Sequence, residues 1–270
     1  MHNGSKDAPP KLKPLLPSAQ PGRTTNNPCA ACAIRDISVC GALDANDVQR
    51  LNAIVTQQQL DPGETLFIEG DPAKNLFIIT DGCVKLYKMV VDGRRQITGF
   101  LYRSDFLGLA LRDSYAYSAE AVAPSVLCRF PREPLERLLE EFPRMERRLL
   151  SIASNELASA QDQMLLLGRK TAEEKVATFL SLLFRRTELK VEMAVEMDTE
   201  AIDLPMTRTD IADYLGLTIE TVSRSFSSLK KRGVVAFDNP HRIEIADPAM
   251  LLELAGIEDA AELGSALAHR

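Results

Sequence analysis

The chain has 270 residues, 45% of them hydrophobic, and a formal net charge of −6. That length exceeds one average domain and that apolar content can build a core, which excludes a wholly disordered chain and points to two folded domains with tails. With no run of about 18 apolar residues to span a bilayer and no apolar signal-peptide core, the expectation is a cytoplasmic protein without a membrane partner, where five cysteines favour metal ligation or redox chemistry over structural disulfides.

Residues 1–27 hold Pro9, Pro10, Pro14, Pro17 and Pro21 among few large apolar side chains, a composition expected to remain a flexible tail. A segment with Cys29, Cys32 and Cys40 follows, and Val48, Leu51 and Val55 then fit a short helix over 43–54 capped by Asp44. From Leu60 to Phe130 short apolar runs alternate with Gly63, Gly70, Gly82, Gly93, Gly99 and Gly108. The runs at 65–68, 76–79 and 84–87 have strand length, and Asp81-Gly82 and Asp92-Gly93 are hairpin-type dipeptides, so an antiparallel β-roll is expected over this stretch.

Residues 144–168 contain no proline and follow Pro143, which predicts a long helix. Along it Leu150, Ala153, Leu157, Ala160, Met164 and Leu167 recur at alternating spacings of 3 and 4, the pattern of two helices packing side by side; the competing reading is a helix packed on its own domain. Two shorter helices are predicted at 208–215 and 219–231, with N-caps at Thr207 and Thr218 and Gly216 between them, the grammar of a helix-turn-helix. Glu220, Ser223 and Arg224 fall on the early, exposed part of the second helix, where carboxylates accept from cytosine N4 and arginine grips guanine in a major groove. Thr221, Arg208 and the run Lys230-Lys231-Arg232 are candidates for phosphate contacts, the run being equally readable as a solvated helix end. Alternation around 239–245 suggests a hairpin wing. Residues 205–243 carry six basic side chains against four acidic ones, an excess of +2 that leaves −8 on the remainder and suits a small DNA-contacting module on an acidic body.

Cys29, Cys32 and Cys40 form C-x2-C-x7-C, and Cys128 lies 88 positions beyond Cys40. Soft thiolates select zinc or iron-sulfur clusters, and spacing alone leaves the two tied, with unligated cysteines as the remaining reading. The histidines are His2, His241 and His269, none inside the expected β-roll, which disfavours a histidine-ligated haem there. No nucleophile-base pair, phosphate loop or paired carboxylates suggest an enzyme built on the β-roll.

The stretch Asp61-Pro-Gly-Glu-Thr-Leu-Phe-Ile-Glu-Gly-Asp with Leu76-Phe-Ile-Ile-Thr-Asp-Gly resembles the cyclic-nucleotide-binding-domain fold of the CRP family. Met206-Thr-Arg-Thr-Asp-Ile-Ala-Asp-Tyr-Leu-Gly-Leu-Thr-Ile-Glu-Thr-Val-Ser-Arg is similar to the DNA-binding segment of its FNR branch, including an E-x-x-S-R triplet at Glu220, Ser223 and Arg224. The resemblance implies an α+β chain: a 1–27 tail, a cysteine segment plus β-roll over 28–142, a dimerisation helix over 143–170, a winged helix-turn-helix over 171–248 and a tail over 249–270. It also implies an inverted TTGAT-type repeat in double-stranded DNA as target, a homodimer as reader and RNA polymerase as partner, with an activating loop near Asp92-Gly93-Arg94-Arg95. Ser125-Val-Leu-Cys128-Arg-Phe-Pro131 resembles the context of the branch's fourth cysteine, so Cys29, Cys32, Cys40 and Cys128 are expected to hold a [4Fe-4S] cluster that makes the regulator oxygen-responsive. The gap of seven before Cys40 resembles the alphaproteobacterial FnrN- and FnrL-like members, and Cys83 matches no ligand. Residues 105–120 lack the Gly-Glu-Leu and Arg-Ser arrangement of a cyclic-nucleotide pocket, so no such ligand is expected. Ala160 stands where enterobacterial members carry an aspartate, which implies tighter dimerisation, less strictly governed by oxygen. A FixK-like or zinc-holding regulator that does not sense oxygen directly is the alternative.

Overall fold

The computed structural model describes residues 29, 32–44, 46–109, 113–192 and 201–257, the side chains of 187–192 excepted. The expected 1–27 tail and residues 258–270 lie outside the described residues. A 3-10 helix, Val39–Ala42, leads into α1 (Val48–Asn52). Asp44 caps a turn and not the expected helix: its carboxylate accepts the backbone N–H groups of Asn46 and Asp47, so the helix begins later and runs for five residues.

Eight strands make the roll: β1 (Thr56–Leu60), β2 (Thr65–Phe67), β3 (Asn75–Asp81), β4 (Cys83–Met89), β5 (Arg95–Tyr102), β6 (Phe106–Leu107), β7 (Ser118–Ala121) and β8 (Ser125–Pro131). They form two four-stranded antiparallel sheets ordered β1-β8-β3-β6 and β2-β7-β4-β5. Side chains alternate across a strand, so β3 serves two cores at once. Phe77 and Ile79 face the roll interior with Leu127 of β8, whereas Leu76 and Ile78 join the cysteine segment on the outer face. Asp92-Gly93 turns the β4–β5 hairpin, with Val90 N donating to Arg94 O. Asp81-Gly82 does not close a hairpin: β3 and β4 belong to different sheets, and the dipeptide carries the chain from one to the other. Gly82 has φ +94°, and a Cβ there would lie 2.4 Å from Pro124 O, so only glycine fits the crossing.

After α2 (Arg132–Glu141), the long helix α3 runs over Pro143–Arg169 with proline in its first turn. One side packs Met145, Leu149 and Ile152 against the cysteine segment. On another, Leu150, Leu157 and Met164 recur every seven residues while 66%, 61% and 65% exposed. Ala160 is exposed and Ala153 half-buried. Leu167 departs from the expected seam, being half-buried on the core of the C-terminal domain.

That domain comprises α4 (Ala172–Glu192), β9 (Ala201–Asp203), α5 (Arg208–Leu215), α6 (Ile219–Lys231), β10 (Val235–Asn239), β11 (Arg242–Ile245) and α7 (Pro248–Ala255). The expected wing is present, extended by β9 into a sheet ordered β10-β11-β9. The boundary expected at 248 is too early: Leu251 and Ala255 of α7 are buried in the domain core, which also takes Ile97 and Phe100 from β5. Burying Leu215, Val222 or Phe226 there is worth roughly 1.5–3 kcal/mol each, which makes the core and not helix propensity the main reason the two short helices hold.

Candidate cysteine site and nucleic-acid interface

Cys29, Cys32, Cys40 and Cys128 line one pocket together with Ile34, Val48, Leu51, Ile78 and Phe130. Strand alternation decides Cys128: its neighbour Leu127 faces the roll interior, which turns the thiol outward beside its cross-strand partner Ile78. The segment bearing the other three is folded by local hydrogen bonds. Cys32 N donates to Cys29 O, and Cys40 N donates to Ser38 Oγ, whose hydroxyl in turn donates to Arg35 O. Arg148 of α3 donates to Ile37 O, tying this segment to the long helix.

Burial pushes the thiols of Cys40 and Cys128 up to about 12, and the neighbouring cysteines push in the same direction. Cys29 is raised by burial and by Cys32. Such thiols are inert protonated groups until a cation replaces the proton. Among the described residues no three His, Cys, Asp or Glu side chains are grouped to hold a metal ion. The four soft donors line one apolar pocket. Cys83 is apart from them, buried in β4 with its backbone N–H donated to Ser125 Oγ.

The reading head is built by its caps. Thr207 and Asp210 close a reciprocal capping box at the start of α5, Gly216 ends that helix with φ +62°, and Thr218 accepts Thr221 N to start α6. Helical periodicity then buries Val222, Phe226 and Leu229 and leaves Glu220, Ser223 and Arg224 exposed on the opposite face. Hydrogen bonds from its own backbone N–H and from Thr218 hold the Glu220 carboxyl below its ordinary value, so it is an anionic acceptor at neutral pH.

The expected phosphate-contacting group divides. Arg208 is half-buried, its guanidinium 3.3 Å over the Phe226 ring, with Nη1 lacking a hydrogen-bond partner and burial lowering its pKa to about 10. It remains a cation with a donor to spare. Thr221 bonds Thr218 and Arg224 inside the protein. Lys230 donates to Phe237 O at 2.6 Å and so braces the wing, and Arg232 pairs with Glu173 at 2.9 Å. The basic run is thus not one free patch, and Lys231 is its exposed member without such a tie among the described contacts.

Sequence reasoning missed how the head meets the β-roll. Lys85, buried in β4, pairs with Glu120 at 2.8 Å and Asp210 at 2.9 Å, and Arg95 reaches both Asp210 and Asp213. Burial alone would raise the Asp210 carboxyl, but hydrogen bonds from Thr207 and Lys85 hold it below its ordinary value. A charged residue inside the apolar run Val84-Lys-Leu-Tyr was the only sequence signal, and it names no partner. Arg95, expected on an activating loop, faces the head instead, which leaves Asp92 and Arg94 at the hairpin tip. Inside the roll, Phe67 stacks on Tyr115 at 3.7 Å with Phe77 and Tyr117 alongside.

Residues 57–142 match the cyclic nucleotide-binding domain family, and residues 174–254 match the Crp-like helix-turn-helix domain family. The chain is 42% identical over 227 residues to the nitrogen fixation regulation protein FixK of Bradyrhizobium diazoefficiens, spanning 84% of this chain and 93% of that one. It is 38% identical over 228 residues to the transcriptional activator protein FnrL of Cereibacter sphaeroides, spanning 84% and 92%. Among solved structures, FixK2 from Bradyrhizobium japonicum superposes with a TM-score of 0.68 at 36% identity, covering 74% of this chain and 97% of that chain.

Proposed function

The chain belongs to the CRP/FNR family of transcription regulators, and from that premise we propose that it is an oxygen-responsive activator that reads an inverted TTGAT-type repeat as a homodimer. It is a DNA-binding regulator and not an enzyme. The observation that carries the oxygen-sensing part is the convergence of Cys128, from a strand, with Cys29, Cys32 and Cys40 on one apolar pocket. Four cysteine sulfurs lining one apolar pocket are a soft donor set of the kind that holds a [4Fe-4S] centre, and the family resemblance is what favours the cluster over zinc. Bound there, such a cluster supplies a centre that oxygen degrades.

The protein's own residues do the coupling. With the four cysteines engaged, the segment carrying three of them is fixed to the roll, and through Arg148 and the packing of Leu149 and Ile152 it braces α3. The opposite face of α3, with Leu150, Leu157, Ala160 and Met164, would pair with the same face of a second copy. Two heads can then occupy half-sites about one helical turn apart, and the Asp92–Arg94 tip is the candidate contact for RNA polymerase. The test is iron and sulfide analysis of anoxically isolated protein and of its four single serine variants, with binding to the repeat before and after air. Iron lost in each variant and binding weakened in air are expected; iron-free wild-type protein would remove the sensing half.

A second reading is a FixK-like regulator, named for the relative at 42% identity, in which the cysteines would hold zinc or nothing and activity would follow the amount of protein. A colourless preparation with air-insensitive binding would establish it in place of the first.

A further inference from the structure

We propose that Lys85, Arg95 and Gln96 of the β-roll are positioning residues for two-site DNA binding, gripping α5 so that the reading helix is held in one orientation relative to α3. The grip has two ends. Near the start of α5, Lys85 and Arg95 each approach Asp210 at 2.9 Å, and one turn further on Arg95 Nε donates to Asp213 at 2.8 Å. Near its finish, Gln96 Nε2 donates to the backbone carbonyls of Asp213 at 2.8 Å and Tyr214 at 3.3 Å. Gln163, from α3 itself, donates to the same Tyr214 carbonyl at 3.1 Å, and Leu167 of α3 lies against Gly216.

A helix held along its length by partners on three other elements, β4, β5 and α3, has little freedom to roll or pivot. Buried charge pairs often do little for net stability, because desolvation offsets their attraction, and the role proposed for this one is to disfavour alternative packings of α5. Lys85 and Asp210 are each 7% exposed, and they join residues 125 positions apart on different domains. Asp210 also belongs to the capping box of α5, so the same carboxylate that starts the helix aims it. Since α6 follows α5 after one short turn, the orientation of α5 sets where Glu220, Ser223 and Arg224 point.

This inference rests on the dimeric reading above, because orientation matters only when two heads must engage together. Binding of a second linked head depends on its effective concentration at the second site, which collapses when geometry is wrong or loose. A single half-site engages one head and is indifferent to it. The experiment compares full-length wild type with Lys85→Met and, separately, Gln96→Ala, using duplexes that hold the inverted TTGAT-type repeat, the same repeat with one base pair inserted at its centre, and one half-site alone. Thermal melts establish that each variant is folded at the titration temperature.

The expected result is repeat affinity reduced about tenfold in Lys85→Met and less in Gln96→Ala, half-site affinity unchanged, and a smaller penalty for the inserted base pair. Equal weakening on repeat and half-site would show a merely structural role and overturn the proposal, as would unchanged repeat affinity in both folded variants. Wild type that binds the repeat no more tightly than the half-site would overturn the two-headed reading and the grip with it, an outcome visible before any variant is made.

Discussion

Glu220 and Arg224 present an anionic acceptor and a cationic donor one turn apart on the exposed side of α6, the minimum equipment for telling bases apart in a major groove. Replacing either with alanine should relax sequence choice by about 1–3 kcal/mol per half-site, read by titration against single-base variants of the repeat. Equal affinity losses on every variant would instead make them backbone contacts. The cysteines carry a prediction about protons. With the Cys40 and Cys128 thiols up at about 12, both are protonated at neutral pH, and any metal must displace those protons. Each unit of added acidity should therefore weaken cobalt(II) or zinc uptake by metal-free protein about tenfold per proton released, whereas pH-independent uptake would place the metal elsewhere.

Among the elements, α3 is the one with two jobs. Its Met145, Leu149 and Ile152 side receives the cysteine segment, while the Leu150, Leu157 and Met164 side is left exposed. An uninterrupted apolar stripe should make the metal-free chain at least partly dimeric at micromolar concentration by sedimentation. Ala160→Asp would bring two carboxylates together in that seam and should weaken dimerisation by tenfold or more, since like charges at a helix contact are disfavoured and must be desolvated. A purely monomeric wild type would remove the reason for reading α3 as a seam.

At the scale of the whole molecule the two sheets divide the labour. The β1-β8-β3-β6 sheet carries Cys128 and its side of the cysteine pocket, and the β2-β7-β4-β5 sheet carries the contacts to α5. The cysteine pocket and the contacts to α5 are thus on different sheets of one roll, and α3 touches both. On the proposed function, in which the cysteine site sets how much protein is paired and not which bases it touches, Cys128→Ser should give the same DNA footprint as wild type at a higher protein concentration. A shifted footprint would mean that the site acts on the reading head directly.

The amino-acid order alone determined the elements whose cause is local: the capped helix pair around Gly216, the period of seven along α3, the alternating strands and the exposed triplet Glu220, Ser223 and Arg224. These depend on backbone periodicity and on hydrogen bonds between residues a few positions apart, which composition and spacing display. Resemblance in sequence context already placed Cys128 with the distant trio, but only the tertiary structure decided which pocket they line, that Asp81-Gly82 crosses between sheets, that Lys230 and Arg232 are occupied within the protein, and that Lys85 and Arg95 grip Asp210. The cysteine pocket and the Asp210 grip depend on where a sulfur or buried polar atom finds its partner about a hundred residues away, and a charge or thiol read along the chain carries no information about the direction from which that partner arrives.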